Sequence, residues 1–209
     1  ISRVAGLERP RELALLIAAL YHDSGKPATA NWEFKKNRLV ITNNGHDLLS
    51  EKIARRFLAR QKIFSWNGLN LPVIVPILIR YHHRVSELWL NRASVTKRAF
   101  NRLAARVKGE IDLLIYLDAA DRAGRKKKLV SGLDRQAVWL FKKFEELKVN
   151  RETIKPLIMG RDLIRLGIAP GPAMGQLLKK LYQYQLDNRF ETRAEGLKLA
   201  KKLIAEKRS

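Results

Sequence analysis

The chain carries four histidines, at positions 22, 46, 82 and 83, and no cysteine. They come partly in doublets: His22 precedes Asp23, and His82 precedes His83. Each histidine falls at or beside the end of a predicted helix, and a bundle can gather such ends from distant positions. Asp23 and either Asp118 or Asp121 can join them. Imidazole with carboxylate suits borderline or hard divalent ions such as Mg, Mn, Fe, Ni or Co. Pooling these groups at one point is unfavourable unless a cation offsets their charge. A lone helical histidine is ordinarily structural, so the doublets give the pattern its weight. "AALYHDSGKPAT" therefore reads either as a ligand pair or as a helix end that happens to be polar.

The elements that must position these groups read as helices nearly everywhere. Apolar residues recur at three- and four-residue spacing over 10–22, with Gly25 and Pro27 as the stop. Residues 46–60 form an amphipathic helix with Leu49, Ile53 and Phe57 inward. The run "VIVPILIRYHH" reads as a buried helix with Pro76 near its start, where a missing N–H is tolerated. Residues 94–107 are basic and amphipathic, and 110–123 form a core helix. Asp134 is placed as an N-cap, and Thr192 with Glu195 has the spacing of a capping box. Residues 31–43 are irregular, with "RLVIT" a short strand or an extended loop. A boundary is expected in 148–156, dividing residues 1–150 from a small helical unit at 151–209. The expected fold class is all-α.

Composition narrows the partners. A chain of 209 residues with 46% hydrophobic content suffices for one moderate domain or two small ones. The absence of cysteine excludes disulfides and thiolate metal sites and fits a reducing cytoplasm. The longest apolar run, "LALLIAALY", is about half of the roughly 20 residues a membrane helix needs. No membrane partner is expected. The net charge of +22 is spread along the chain rather than gathered in a tail. A folded surface of that sign favours a polyanion, nucleic acid first and acidic membrane second, with adaptation to heat or solubility as the bland alternative.

"HDSGK", "GHD", "YHH" and "LDAADRAGR", in that order, resemble the HD superfamily of metal-dependent phosphohydrolases. More narrowly they resemble the HD domain of bacterial tRNA nucleotidyltransferases, the CCA-adding enzymes and related poly(A) polymerases. The second half agrees: "GRDL", then "PGP", a helix and "TRAE" are similar to that family's C-terminal region. The resemblance implies an HD-superfamily helical domain followed by a small helical C-terminal domain. It assigns His22 and Asp23 to the central doublet and Asp121 to the closing Asp, with Asp118 a structural neighbour one turn earlier. His46 and one or both of His82 and His83 match the positions of HD proteins that bind a second metal. The superfamily pattern opens with a further His, and none precedes His22 here. That His and the nucleotidyltransferase half are expected before Ile1, which reads as the start of a piece of something longer. Metal affinity and activity are expected to be weakened without that ligand.

These positions imply a divalent metal held by His22, Asp23, His46, His82, His83 and Asp121. Phosphohydrolase chemistry follows, with Asp23 and Lys26 as catalytic residues. Lys26 is either a substrate-phosphate contact or an exposed helix-end cation. Arg122 and Arg125 are expected to pair with Asp121 or to contact phosphate. Arg125, Lys126, Lys127, Lys128, Arg161, Arg165, Lys179, Lys180 and Arg193 are the candidate contacts to tRNA or another structured RNA. Tyr182 and Tyr184 are read as packing before base stacking. Two functions compete: hydrolysis of phosphomonoesters or 2′,3′-cyclic phosphodiesters, and non-catalytic tRNA binding around a vestigial metal site. A second-messenger hydrolase would share the helical core, but the basic C-terminal region counts against it.

Overall fold

The computed structural model describes residues 6–125, 132–147 and 154–206. The chain opens with α1 (Arg9–Tyr21), whose first turn holds Pro10, and the short α2 (Lys26–Thr29). A hairpin of β1 (Asn31–Lys35) and β2 (Arg38–Thr42) follows, then α3 (His46–Arg60). A second, minimal hairpin, β3 (Ser65–Trp66) with β4 (Leu69–Asn70), leads into α4 (Leu71–Tyr81), α5 (Arg84–Leu90), α6 (Lys97–Arg106) and α7 (Ile111–Gly124). Then come α8 (Arg135–Glu146), α9 (Gly160–Arg165), α10 (Pro172–Leu186) and α11 (Arg193–Glu206). The fold is all-α apart from the two small antiparallel pairs.

One hydrophobic core runs from Ala14 to Phe144 and is built by α1 and α3 through α8. Its centre is aliphatic: Leu78, Ile79, Leu113, Leu114 and Ile115 are fully buried. A second core, from Ile158 to Ala200, is built by the segment before α9 and by α9 to α11. The two are joined by Arg102, which grips Asp187 with two hydrogen bonds of 2.6 and 2.8 Å, and by Arg98 at 2.9 Å.

Local signals explain most element ends. Asp134 accepts from the Ala137 N–H at 3.0 Å, the N-cap expected for α8. At α11, Thr192 and Glu195 exchange side chain-to-backbone bonds of 3.2 and 3.3 Å, the capping box expected there. The "GRDL" and "TRAE" segments meet. Asp162 caps the Met159 N–H at 2.9 Å and binds Arg193 from the start of α11.

Three expectations change. Residues 31–42 form a regular hairpin in which "RLVIT" is the short strand and not the extended loop, with Lys36 at φ 51° and Asn37 at φ 58° making a two-residue turn. Positive φ at both central residues is the geometry that matches strand twist; Lys-Asn supplies it without glycine. Pro76 sits inside α4 rather than in its first turn. It has no N–H for the Pro72 carbonyl, which instead accepts from Arg55 Nη1 at 3.3 Å. In α3 the deeply buried stripe is Ser50, Ala54 and Leu58, one position on from Leu49, Ile53 and Phe57, which are only half-buried.

Candidate metal centre

Four segments converge. His22 and Asp23 form the turn after α1, where the His22 N–H still reaches the Ala18 carbonyl at 2.9 Å. His46 opens α3, His82 closes α4, His83 precedes α5, and Asp121 lies in the last turns of α7. Gly25 sets the approach of the first two. Its N–H donates to Ser50 Oγ at 2.9 Å, and Ser50 is fully buried. A Cβ on residue 25 would stand 2.5 Å from the His46 carbonyl oxygen and 2.9 Å from the Ser50 nitrogen. Only glycine lets the His22–Asp23 turn lie this close to the start of α3.

Three of the four histidines share one device. Nδ1 of His22 lies 2.8 Å from the Ala19 carbonyl, that of His46 2.7 Å from Asn43, and that of His82 2.6 Å from Ile79. A carbonyl only accepts, so Nδ1 carries the hydrogen and the neutral ring keeps its lone pair on Nε2. Those Nε2 atoms face one another and the carboxylates. His46 Nε2 is 3.1 Å from His83 Nε2 and 3.6 Å from Asp23 Oδ1. His22 Nε2 is 3.4 Å from Asp23 Oδ2 and 3.5 Å from Asp121 Oδ1. The His82 and His83 ring centres are 3.6 Å apart.

Three buried atoms here have no hydrogen-bond partner among the described residues: His22 Nε2, Asp23 Oδ1 and His82 Nε2. Such orphans are unfavourable unless something satisfies them. His46, His82 and His83 offer donors within 4.8 Å of one another, and so do His22, Asp23 and Asp121. Gaps of 3.1 to 3.6 Å suit neighbouring donors each about 2.1 Å from a shared ion. Backbone-anchored imidazoles are the usual form of histidine ligands. The residues therefore fit a divalent metal, as two adjoining sets of three.

Electrostatics agree. Burial pulls the His22 pKa down, but Asp121, the Ala19 carbonyl and Asp23 outweigh it and leave it raised. Burial and neighbouring His83 lower His82 to about 4, and burial with His46 lowers His83. Burial pushes both carboxylates up, yet Lys26 and His22 hold Asp23 below its ordinary value, and His22 and Arg125 hold Asp121 well below. Both acids are thus kept ionised beside the lowered imidazoles of His82 and His83, a field that draws a cation.

The family model for the HD domain matches residues 2–125. The chain belongs to the HD domain family. A CC-adding tRNA nucleotidyltransferase of Thermus thermophilus is 29% identical over 192 residues, 90% of this chain. The chain spans 39% of that relative's length. No solved structure matches.

Around the HD centre the predicted residues divide. His22, Asp23, His46, His82, His83 and Asp121 come together; Lys26 is beside them, its Nζ 2.5 Å from Asp23 Oδ2. Arg125 binds Asp121, as the spacing predicts. Arg122 does not: it binds Asp118 and, with bonds of 2.9 and 2.8 Å, Asp134. Asp118 is a buried structural acid that also accepts from Ser86 at 2.6 Å and Gln136 at 2.9 Å. Arg161, Arg165, Lys179 and Lys180 are exposed in the C-terminal region, away from any carboxylate bond described above. Arg193 is held by Asp162, and Lys126, Lys127 and Lys128 lie outside the described residues. Tyr182 donates to the Ile154 carbonyl at 2.9 Å, a packing role, and Tyr184 lies under Arg189 and Lys180. Gly25 and Ser50 were missed as positioning residues. The small pair Gly25 and Ser50 carries no chemistry of its own, so only a predicted crossing of α2 and α3 could have flagged it. Among the described residues no helix is long and apolar enough to cross a membrane.

Proposed function

We propose that the HD domain hydrolyses phosphate esters at RNA ends, phosphomonoesters or 2′,3′-cyclic phosphodiesters, within a tRNA nucleotidyltransferase-like protein. The observation that carries this is the set of orphaned donors on His22, Asp23 and His82, with His46, His83 and Asp121 completing the cluster. A divalent ion bound there supplies Lewis acidity toward a phosphate oxygen and a water acidic enough to react near neutral pH. His22, Asp23 and Asp121 hold one ion; His46, His82 and His83 hold a second or grip the phosphate. Asp23 Oδ1, buried and unpartnered, accepts a hydrogen bond from the attacking water and orients it. Lys26 is one-third exposed beside Asp23 and meets the phosphate as it enters. The exposed cations of the C-terminal region hold the body of a tRNA, in keeping with the relative's name.

A specific observation favours the second reading, a tRNA-binding module with a vestigial site. Lys26 and Arg125 already neutralise Asp23 and Asp121. Turnover of bis(p-nitrophenyl) phosphate, p-nitrophenyl phosphate and 2′,3′-cyclic AMP with Mg, Mn, Co, Ni or Fe separates the two. The expected result is metal-dependent turnover, abolished in His22→Ala and Asp23→Ala with circular dichroism unchanged. Salt-sensitive tRNA binding with no turnover under any metal sinks the hydrolase and leaves the binding module.

A further inference from the structure

The β1–β2 hairpin exposes four large apolar side chains. Trp32 is 62% exposed, Phe34 72%, Leu39 60% and Ile41 56%. Trp32 pairs with Ile41 and Phe34 with Leu39, so all four share one face of the ribbon. None of them belongs to either hydrophobic core. A two-stranded ribbon is marginal in water, and leaving its apolar face open is unfavourable unless something covers it. Of the exposed cations at the tip, Lys36 lies in the turn, while Lys35 and Arg38 are paired in register on the opposite face. The only acid on the ribbon, Glu33, points to the opposite face, where it binds Lys35.

The base of the ribbon also adjoins the metal centre. It lies in sequence between His22–Asp23 and His46. Glu33 Oε1 accepts from Thr42 at 2.7 Å and from Asn44 at 2.8 Å, and the Asn43 carbonyl next to it is the one that orients His46. The base of the hairpin is therefore tied to the residue next to the one that orients His46.

We infer that this face is a stacking platform for the last bases of a single-stranded RNA end, which it leads to the metal centre. Aromatic rings accept any base, since every base has a π face, and Lys36 in the turn, with Arg38 beside it, meets the phosphates that run past the edge of the ribbon. Trp32 and Phe34, two residues apart on one strand, stand roughly 7 Å from each other, room for a base between or across them. A chain of net charge +22 draws the polyanion to the ribbon. The inference rests on the proposed phosphoester chemistry for its purpose but not for its binding.

The test is fluorescence anisotropy with a labelled eight-nucleotide single-stranded RNA and, separately, a blunt RNA duplex, with bis(p-nitrophenyl) phosphate turnover measured alongside. Trp32→Ala/Phe34→Ala is expected to weaken single-strand binding by about tenfold or more, with duplex binding and small-substrate turnover unchanged. Trp32→Phe/Phe34→Tyr, which keeps two rings, is expected to restore single-strand binding. Unchanged single-strand affinity in the double alanine variant overturns the platform, whatever the turnover does. So does equal weakening of single strand and duplex. A wild-type dimer that the double variant dissolves, with RNA affinity intact, assigns the face to a second copy of the chain instead. Absent turnover in the wild type, with the single-strand effect present, removes the hydrolase reading and leaves the platform standing.

Discussion

Lys26 and Asp23 show how a single pair can set the strength of the whole centre. Asp23 Oδ2 lies 2.5 Å from the ammonium group, whose charge opposes any ion bound at the unpartnered Oδ1 of the same carboxylate. Both side chains are about one-third exposed, and pairs of that kind contribute up to about 1 kcal/mol. Lys26→Met is therefore expected to tighten Mn binding about two- to fivefold in calorimetry while raising KM for a phosphoester. Weaker Mn binding in that variant would show that the lysine shapes the turn instead of contesting it. The ligand types themselves were legible in the sequence, because histidines are scarce and three of the four fall in doublets. The partner of Arg122 was not. Arg122 stands four residues after Asp118 and Arg125 four after Asp121, and both i,i+4 pairs form. The added grip of Asp134 on Arg122 depends on where α8 crosses α7, which no local spacing records.

The contact between α2 and α3 decides whether the ligands on those segments meet. Gly25→Ala places a methyl 2.5 Å from a backbone oxygen and 2.9 Å from a backbone nitrogen. Neither can move as a side-chain tip would, so the turn must shift away from α3. Overpacking of this kind costs about 1–3 kcal/mol. The expected outcome is a lower Tm by several degrees and a loss of Mn affinity larger than Ser50→Ala causes, because Ser50→Ala removes only a hydrogen bond of about 1 kcal/mol. Equal Mn affinity in Gly25→Ala and wild type would mean that the His22–Asp23 turn is placed by other contacts. Long helices such as α1, α3 and α7 could be read from their apolar period, and the caps at Asp134 and Thr192 from residue type. Of the hairpin only "RLVIT" could be read as a strand, because Lys-Asn is an uncommon turn and the strands alternate toward water rather than toward a core. Gly25 could be read only as a helix stop, since close approach is a property of two segments and not of one.

At the scale of the molecule, charge acts in two opposite directions. Forty-two Lys and Arg against twenty Asp and Glu leave +22 on one folded chain, and like charges at that density repel one another across the surface. Ordered ion pairs relieve part of this, among them the Arg98–Asp187 and Arg102–Asp187 bonds that tie the two cores together. Salt relieves more, because the Debye length falls from about 30 Å at 0.01 M to about 8 Å at 0.15 M. The protein alone is therefore expected to become more stable with added salt over that range, Tm rising by a few degrees. Binding to tRNA should do the reverse, since each phosphate neutralised releases condensed counterions. The logarithm of the affinity should then fall with the logarithm of salt concentration at a slope of roughly 0.9 per contact on duplex regions. Thermal melts and anisotropy titrations across the same salt series measure both signs on one sample. A salt-insensitive tRNA affinity alongside a rising Tm would mean that the charge is a general feature of the surface, and that the exposed cations of α9 and α10 are not a nucleic-acid interface.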